Sequence, residues 1–169
     1  RFGKSGIMNG MTHVTVTINN ERHDVKVEPR MLAADFLRDE LGLTGTHVGC
    51  EHGVCGACTI LLNGASVRSC LLLAIQLDGA EIQTVEGLGG VREMHRIQAA
   101  FREHHALQCG FCTPGFLMTV HDILGRLPLR SDEEIRDALS GNICRCTGYD
   151  HIVKAVRSLV TERDKVTNQ

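Results

Sequence analysis

Eight cysteines carry the chemistry legible in this sequence: Cys50, Cys55, Cys58, Cys70, Cys109, Cys112, Cys144 and Cys146. They fall into two groups of four, one in each half of the chain. An even count so grouped, with no apolar h-region among the first residues to direct secretion, points to metal sites before disulfides. The first group runs Cys50-x4-Cys55-x2-Cys58, with Cys70 after eleven further residues, which is the spacing of a plant-type [2Fe–2S] site. Each iron of such a site needs two thiolates in tetrahedral geometry, and the bridging sulfides carry negative charge that backbone N–H groups must offset. Gly49, Gly53 and Gly56 free the loop to take positive φ and turn its amides inward. Zinc is the competing metal, although structural zinc usually sits between paired C-x2-C knuckles rather than in one x4/x2 loop.

The second group is Cys109-x2-Cys112, then thirty-one residues, then Cys144-x-Cys146. Each pair lies just ahead of an expected helix, so two helix N-termini can converge on one anionic cluster. Taken alone the pattern suits zinc and iron–sulfur equally, and its company with the first group favours iron–sulfur.

The elements that must hold these cysteines change character along the chain. From Thr12 to Ile18, and again from Asp24 to Val27, apolar and polar residues alternate, which predicts a β-hairpin. Pro29 closes it, and Met31 to Leu41 places Leu32, Phe36, Leu37 and Leu41 at helical spacing, with Gly42 as the stop. Thr44 to Gly56 reads as a Gly-rich loop, Ala57 to Leu62 as a strand ending in an Asn63-Gly64 turn, and Glu81 to Val85 as another strand. Gly87 to Gly90 marks a junction. Beyond it the period becomes helical. Four short helices are expected: His95 to His105; Phe116 to Leu124, with Thr113 as N-cap and Pro114 first in the helix; Ile135 to Leu139, opened by a Ser131/Glu134 capping box; and a last one capped by Asp150. The expected organisation is α+β: a leader or appended segment at 1–11, with Met8 or Met11 as alternative starts, a mixed-sheet domain at 12–86, and a helical domain at 91–163.

Composition excludes other classes. Aromatic residues are 4% of the chain, with no Trp and one Tyr, and the net charge is −2, which suits neither base stacking nor phosphate binding. No apolar run approaches the ~20 residues of a membrane span, so a cytoplasmic location is expected. The nine His form no HExxH or comparable ligand spacing, and His52 reads as a solvent-facing loop residue. Arg145, between two cysteines, reads either as raising the local potential or pairing with a partner acid, or as an ordinary salt bridge. Asp132-Glu133-Glu134 reads as first-turn helix charge.

Three runs together closely resemble the small subunit of the xanthine oxidase family. They are Gly49-Cys50-Glu51-His52-Gly53-Val54-Cys55-Gly56-Ala57-Cys58-Thr59, Gln108-Cys109-Gly110-Phe111-Cys112-Thr113-Pro114-Gly115, and Gly141-Asn142-Ile143-Cys144-Arg145-Cys146-Thr147-Gly148-Tyr149. The resemblance spans about Thr12 to Leu159, and all eight cysteines match it in order and spacing. It implies a β-grasp, plant-type ferredoxin-like domain followed by a four-helix bundle, each holding one [2Fe–2S] cluster. It also implies a large partner subunit with molybdopterin or its dinucleotide, a medium FAD subunit, and a dimer of heterotrimers. The cluster of Cys109, Cys112, Cys144 and Cys146 would lie nearer the molybdopterin, with Gln108 and Cys146 contacting the pterin, and the other cluster would face the flavin side. The implied function is electron transfer within a molybdenum hydroxylase. A free-standing two-cluster ferredoxin and a zinc-stabilised interaction module are the alternatives.

Overall fold

The computed structural model describes residues 10–90 and 92–167. The expected leader lies outside the described residues up to residue 9, Met8 included, and so does residue 91, the expected start of the second domain.

The chain opens with the expected hairpin. Strands β1 (Thr12–Ile18) and β2 (Glu21–Val27) pair antiparallel, Thr12 opposite Val27 and Ile18 opposite Glu21. The two-residue connection, Asn19-Asn20, has φ of 50° and 69°, the left-handed pair that matches strand twist and that Asn tolerates. Alternation sends Val14, Val16 and Ile18 into the core. The predicted helix over Met31 to Leu41 is shorter and wider: one α-helical turn, α1 (Ala33–Asp35), passes into a π-helical turn at Phe36–Glu40, where Leu41 N–H donates to Phe36 O at 3.2 Å. Phe36 and Leu37 are buried, as their spacing requires.

A second hairpin follows. Strand β3 (Thr59–Leu62) pairs with β4 (Ala65–Arg68) about Asn63-Gly64, with φ of 50° and 82°. Strand β5 (Glu81–Gln83) lies parallel to β1 and antiparallel to β3, giving the order β2-β1-β5-β3-β4. The β4 strand has no counterpart in the sequence reading, and β5 ends two residues before the expected Val85.

Four helices follow the sheet: α2 (Arg96–Glu103), α3 (Thr113–Arg126), α4 (Asp132–Ala138) and α5 (Asp150–Thr167). Three caps differ from expectation. Phe116 N–H already donates to Cys112 O at 3.1 Å, so Cys112 caps α3, and Thr113 is its first residue rather than its N-cap. Pro114 is tolerated one position later, where an N–H would still lack a helical acceptor. Ser131 Oγ accepts from Glu134 N–H at 3.2 Å, but the Glu134 carboxylate turns back to Arg130 N–H, so the capping box is only half closed. Asp150 sits inside α5, where Val153 N–H donates to Tyr149 O at 2.9 Å and Lys154 reaches the Asp150 carboxylate at 2.7 Å.

Two apolar cores result, and they meet at β3. Ile60 is buried with the sheet residues, whereas its neighbour Leu61 is buried with α3 and the helical residues, because successive side chains of a strand leave opposite faces. The sheet's second face is thus covered by the helical half. Among the described residues no helix is long and apolar enough to cross a membrane.

Candidate metal centres

The first four cysteines are gathered by the β3–β4 hairpin and the loop before it. Thr59 pairs with Arg68, so Cys58 just before β3 and Cys70 just after β4 are set side by side. Ser69 fixes the join: its N–H and its hydroxyl both donate to Cys58 O, at 3.3 and 2.8 Å. The eleven-residue spacing is therefore the length of a tight hairpin. Cys58 and Cys70 are buried, and Cys50 and Cys55 are partly exposed. The loop between them turns through left-handed residues at Glu51, Gly53 and Gly56, with φ of 58°, 82° and 73°. Gly49, expected to share that conformation, does not have it. A Cβ there would lie 3.3 Å from both Cys55 Sγ and a Phe111 ring carbon, so Gly49 serves close packing while Glu51 takes the turn. Cys55 N–H already points at Cys50 Sγ, 3.3 Å away.

The second four come from two loops far apart in sequence. Cys112 caps α3 and Cys109 precedes it across Gly110, at φ 83°. Cys144 and Cys146 lie between α4 and α5, and Cys146 is followed by the left-handed Gly148 and Tyr149, at φ 65° and 69°. The α3 N-terminus thus abuts this group as expected, but α5 starts only at Asp150, set off from Cys146 by that turn. Cys146 Sγ and Cys109 Sγ are 3.5 Å apart. Thr147 donates to Cys144 Sγ twice, from its N–H at 3.4 Å and its hydroxyl at 3.2 Å. The Cys144 N–H donates to the Tyr149 hydroxyl at 3.0 Å.

Within each group the thiols associate in twos. Cys109 and Cys146 are in direct contact, and the neighbouring thiol that acts on Cys55 is Cys50, on Cys70 is Cys58 and on Cys112 is Cys144. Among the described residues no three His, Cys, Asp or Glu side chains converge on a point that one ion would fill. A single tetrahedral zinc wants four donors about one centre, whereas a binuclear cluster wants two pairs, one for each metal. The side chains present fit the second. Two pairs join a lowered thiol to a raised one. The Cys55 backbone N–H, then that of His52, draws Cys50 down to about 6, and burial raises Cys55. Burial acts to raise Cys144, but hydrogen bonds from the Thr147 hydroxyl and amide, together with the Cys146 amide and the Cys112 thiol, outweigh it and leave this thiol lowered, while burial pushes its neighbour Cys112 up to about 12. The lowered member is the readier thiolate, the form that binds metal. Thr113 Oγ, beside Cys112, is buried without a hydrogen-bond partner, an unspent donor suited to an anionic sulfur core.

The two groups are also fastened to each other. Ile143 N–H, next to Cys144, donates to Cys55 O at 2.9 Å. Buried Asn142 donates to Gly56 O at 3.1 Å and accepts from Thr119 Oγ at 2.9 Å. Arg68 spans from Thr59 Oγ to Gly141 O, 2.6 Å each. His47 stacks on Phe111 with ring centroids 4.8 Å apart, and its Nδ1 donates to Phe111 O at 2.7 Å. The backbones meet so closely that a Cβ on Gly115 would lie 2.1 Å from Gly56 O. Asn142, Arg68 and Thr147 were not singled out from sequence. Their place in or beside the cysteine runs is the only signal the sequence offers, and for Arg68 that is its position two residues before Cys70.

The remaining candidates fall out plainly. Gln108, Cys109 and Cys146 form an exposed edge of the second group. His52 is exposed, its ring turned back on Cys50 O. Arg145 is exposed, and Asp132 pairs with Arg157 at 2.8 Å as ordinary first-turn charge.

Comparison with known proteins gives two family matches, one to each group. The 2Fe-2S iron-sulfur cluster binding domain matches residues 16–87, and the [2Fe-2S] binding domain matches residues 84–157. The chain is 54% identical over 149 residues to caffeine dehydrogenase subunit gamma of Pseudomonas sp. strain CBB1, covering 86% of this chain and 89% of that one. It is 55% identical over 143 residues to the nicotine 6-hydroxylase small subunit of Paenarthrobacter nicotinovorans, covering 85% and 86%. Among solved structures, quinoline 2-oxidoreductase from Pseudomonas putida 86 superposes with a TM-score of 0.86 at 50% identity, over 90% of this chain and 94% of that chain. The aldehyde oxidoreductase of Desulfovibrio gigas superposes with a TM-score of 0.86 at 39% identity, over 92% of this chain but 17% of that longer one. With two cluster-binding regions in this order and such likeness over most of its length, the chain belongs to the small iron–sulfur subunits of the xanthine oxidase family of molybdenum hydroxylases, whose part is electron transfer and not substrate chemistry.

Proposed function

We propose that this chain conducts electrons singly between a molybdopterin site in a large partner subunit and an FAD in a medium one, through two [2Fe–2S] clusters held by its eight cysteines. When bound, each cluster supplies one-electron storage at a potential set by burial and by hydrogen bonds to its sulfurs. Cys50 with Cys55, and Cys58 with Cys70, would hold the first cluster. Cys109 with Cys146, and Cys112 with Cys144, would hold the second. The observation that carries this reading is the gathering of eight free cysteines into two foursomes, one within each of the two matched cluster-binding regions.

The protein's own residues do three things. Left-handed turns at Glu51, Gly53 and Gly56 aim backbone donors inward, Asn142 and Ile143 fix the two binding loops to one another, and the exposed edge of Gln108 and Cys146 presents the second group outward. That edge suits contact with the pterin, whether as molybdopterin or its dinucleotide. We read residues 12–86 as a β-grasp domain, on the strand order β2-β1-β5-β3-β4, and residues 91–163 as a four-helix bundle. Subunit designations such as gamma and small subunit among the relatives support a multi-subunit assembly, which we propose to be a cytoplasmic dimer of heterotrimers.

The test is electron paramagnetic resonance of the reduced, assembled complex. Cys55→Ser removes one of two cluster signals and spares the other. Gln108→Ala keeps both signals but slows their appearance when substrate is added. Two undiminished signals in Cys55→Ser contradict the ligand assignment, and an unchanged rate in Gln108→Ala contradicts the pterin contact.

A further inference from the structure

We infer that the Thr147 hydroxyl sets the reduction potential of the second cluster through a hydrogen bond to Cys144 Sγ. This rests on the reading of Cys109, Cys112, Cys144 and Cys146 as ligands of one cluster. The geometry fixes where the proton points. Thr147 Oγ accepts from Tyr149 N–H at 3.2 Å, which occupies a lone pair, and lies 3.2 Å from Cys144 Sγ. A hydroxyl has one proton, and with Tyr149 as donor the sulfur is left as its acceptor. The Thr147 amide, 3.4 Å from the same sulfur, makes Cys144 a doubly served thiolate. The Tyr149 ring in turn is held by its hydroxyl, which accepts from Cys144 N–H at 3.0 Å, and by its edge-on packing against Phe116 at 6.4 Å. The turn Cys144 to Tyr149 therefore closes on itself and holds the hydroxyl in register.

Reduction adds one electron to the cluster, and part of that charge falls on the ligand sulfurs. A donor aimed at a sulfur stabilises the more negative state, so it raises the potential, with no proton transferred. Thr147 is thus a positioning residue, acting through Cys144.

The experiment is a redox titration of the assembled complex, followed by paramagnetic resonance, for the wild type, T147V and T147S. T147V keeps the shape and loses the hydroxyl. Its second signal is expected to titrate with the one-electron equilibrium shifted about tenfold toward the oxidised cluster, which is about 59 mV. The first signal should not move, and T147S should return the second to its wild-type value. If the valine branch costs the second cluster altogether, T147A takes its place as the hydroxyl-free variant and the same comparison is read. An unshifted second signal in the hydroxyl-free variant overturns the inference, as does an equal shift in T147S. A wild-type complex that shows no second cluster signal overturns the ligand reading itself, which keeps the two failures apart.

Discussion

The two cysteine groups solve one problem by opposite means. The first is local: a loop and a hairpin bring four thiols together within Cys50 to Cys70, and the deeper pair, Cys58 and Cys70, is 1% and 3% exposed. The second joins Cys109 and Cys112 to Cys144 and Cys146 across the α3 and α4 helices, and leaves Cys109 and Cys146 exposed. Closing a longer loop costs more chain entropy and must be offset by tertiary packing. The second site therefore depends on the helical core and on its clamp to the first, while the first leans mainly on its own hairpin. Exposure follows the same division, since the outward edge of Gln108, Cys109 and Cys146 belongs to the site assembled from afar.

The comparison breaks most severely at Gly115→Ala. A Cβ at 2.1 Å from Gly56 O must push α3 away from the first loop, and both contacting groups are backbone. Overpacking of this kind costs about 3 kcal/mol. Chemical denaturation followed by cluster absorbance should show both clusters lost at a much lower midpoint. Loss of one site alone would mean that the two are less firmly joined than the contacts indicate. Asn142→Ala is milder. It removes one bond each from Gly56 O and Thr119 Oγ, which keep Thr59 and Gly115 O as partners, so the cost is about 1 kcal/mol for each lost bond. Its expected result is a lower midpoint for the second site than for the first, read from the two resonance signals during partial unfolding.

The smallest effect is acid sensitivity, and it should be one-sided. His95 and His121 face each other with ring centroids 5.7 Å apart in the helical half, and burial lowers the pKa of both below the usual 6.5. Well above pH 6.5 both are neutral, folded or unfolded, and pH has no leverage through them. As pH falls through 6.5 the unfolded chain takes up protons that the folded one resists, so stability declines until the folded pKa is passed. Between about pH 7 and 5 the second signal should weaken before the first. Replacing both histidines with Gln should flatten that slope, and an unaltered slope would place the sensitivity elsewhere.

Much of this arrangement is legible in the residues alone, because the determinants are short-range. Cysteine spacing encodes the hairpin length and the helix cap, and Asn-Asn and Asn-Gly announce their turns by needing left-handed φ. What escapes is set by contacts distant in sequence. Strand β4 is four residues with half-buried Ser66, Val67 and Arg68 and no clean alternation, since Ser66 and Arg68 turn toward the helical half, to Asp122 and Gly141. The clamp by Asn142 spans 86 residues, and no local pattern marks a buried Asn as an acceptor's partner. Gly49 departs from expectation for the same reason: its requirement is the nearness of Phe111 and Cys55, and not its own backbone angle. The capping box at Ser131 looked complete in one dimension, yet Glu134 found Arg130 instead.

Each foursome of thiols should embrace two metals and not one. Iron, zinc and acid-labile sulfide measured on the anaerobically purified chain test it most directly. About four irons and an equal amount of labile sulfide per chain are expected, whereas zinc without sulfide, about one ion for each foursome, would mean single-metal sites instead.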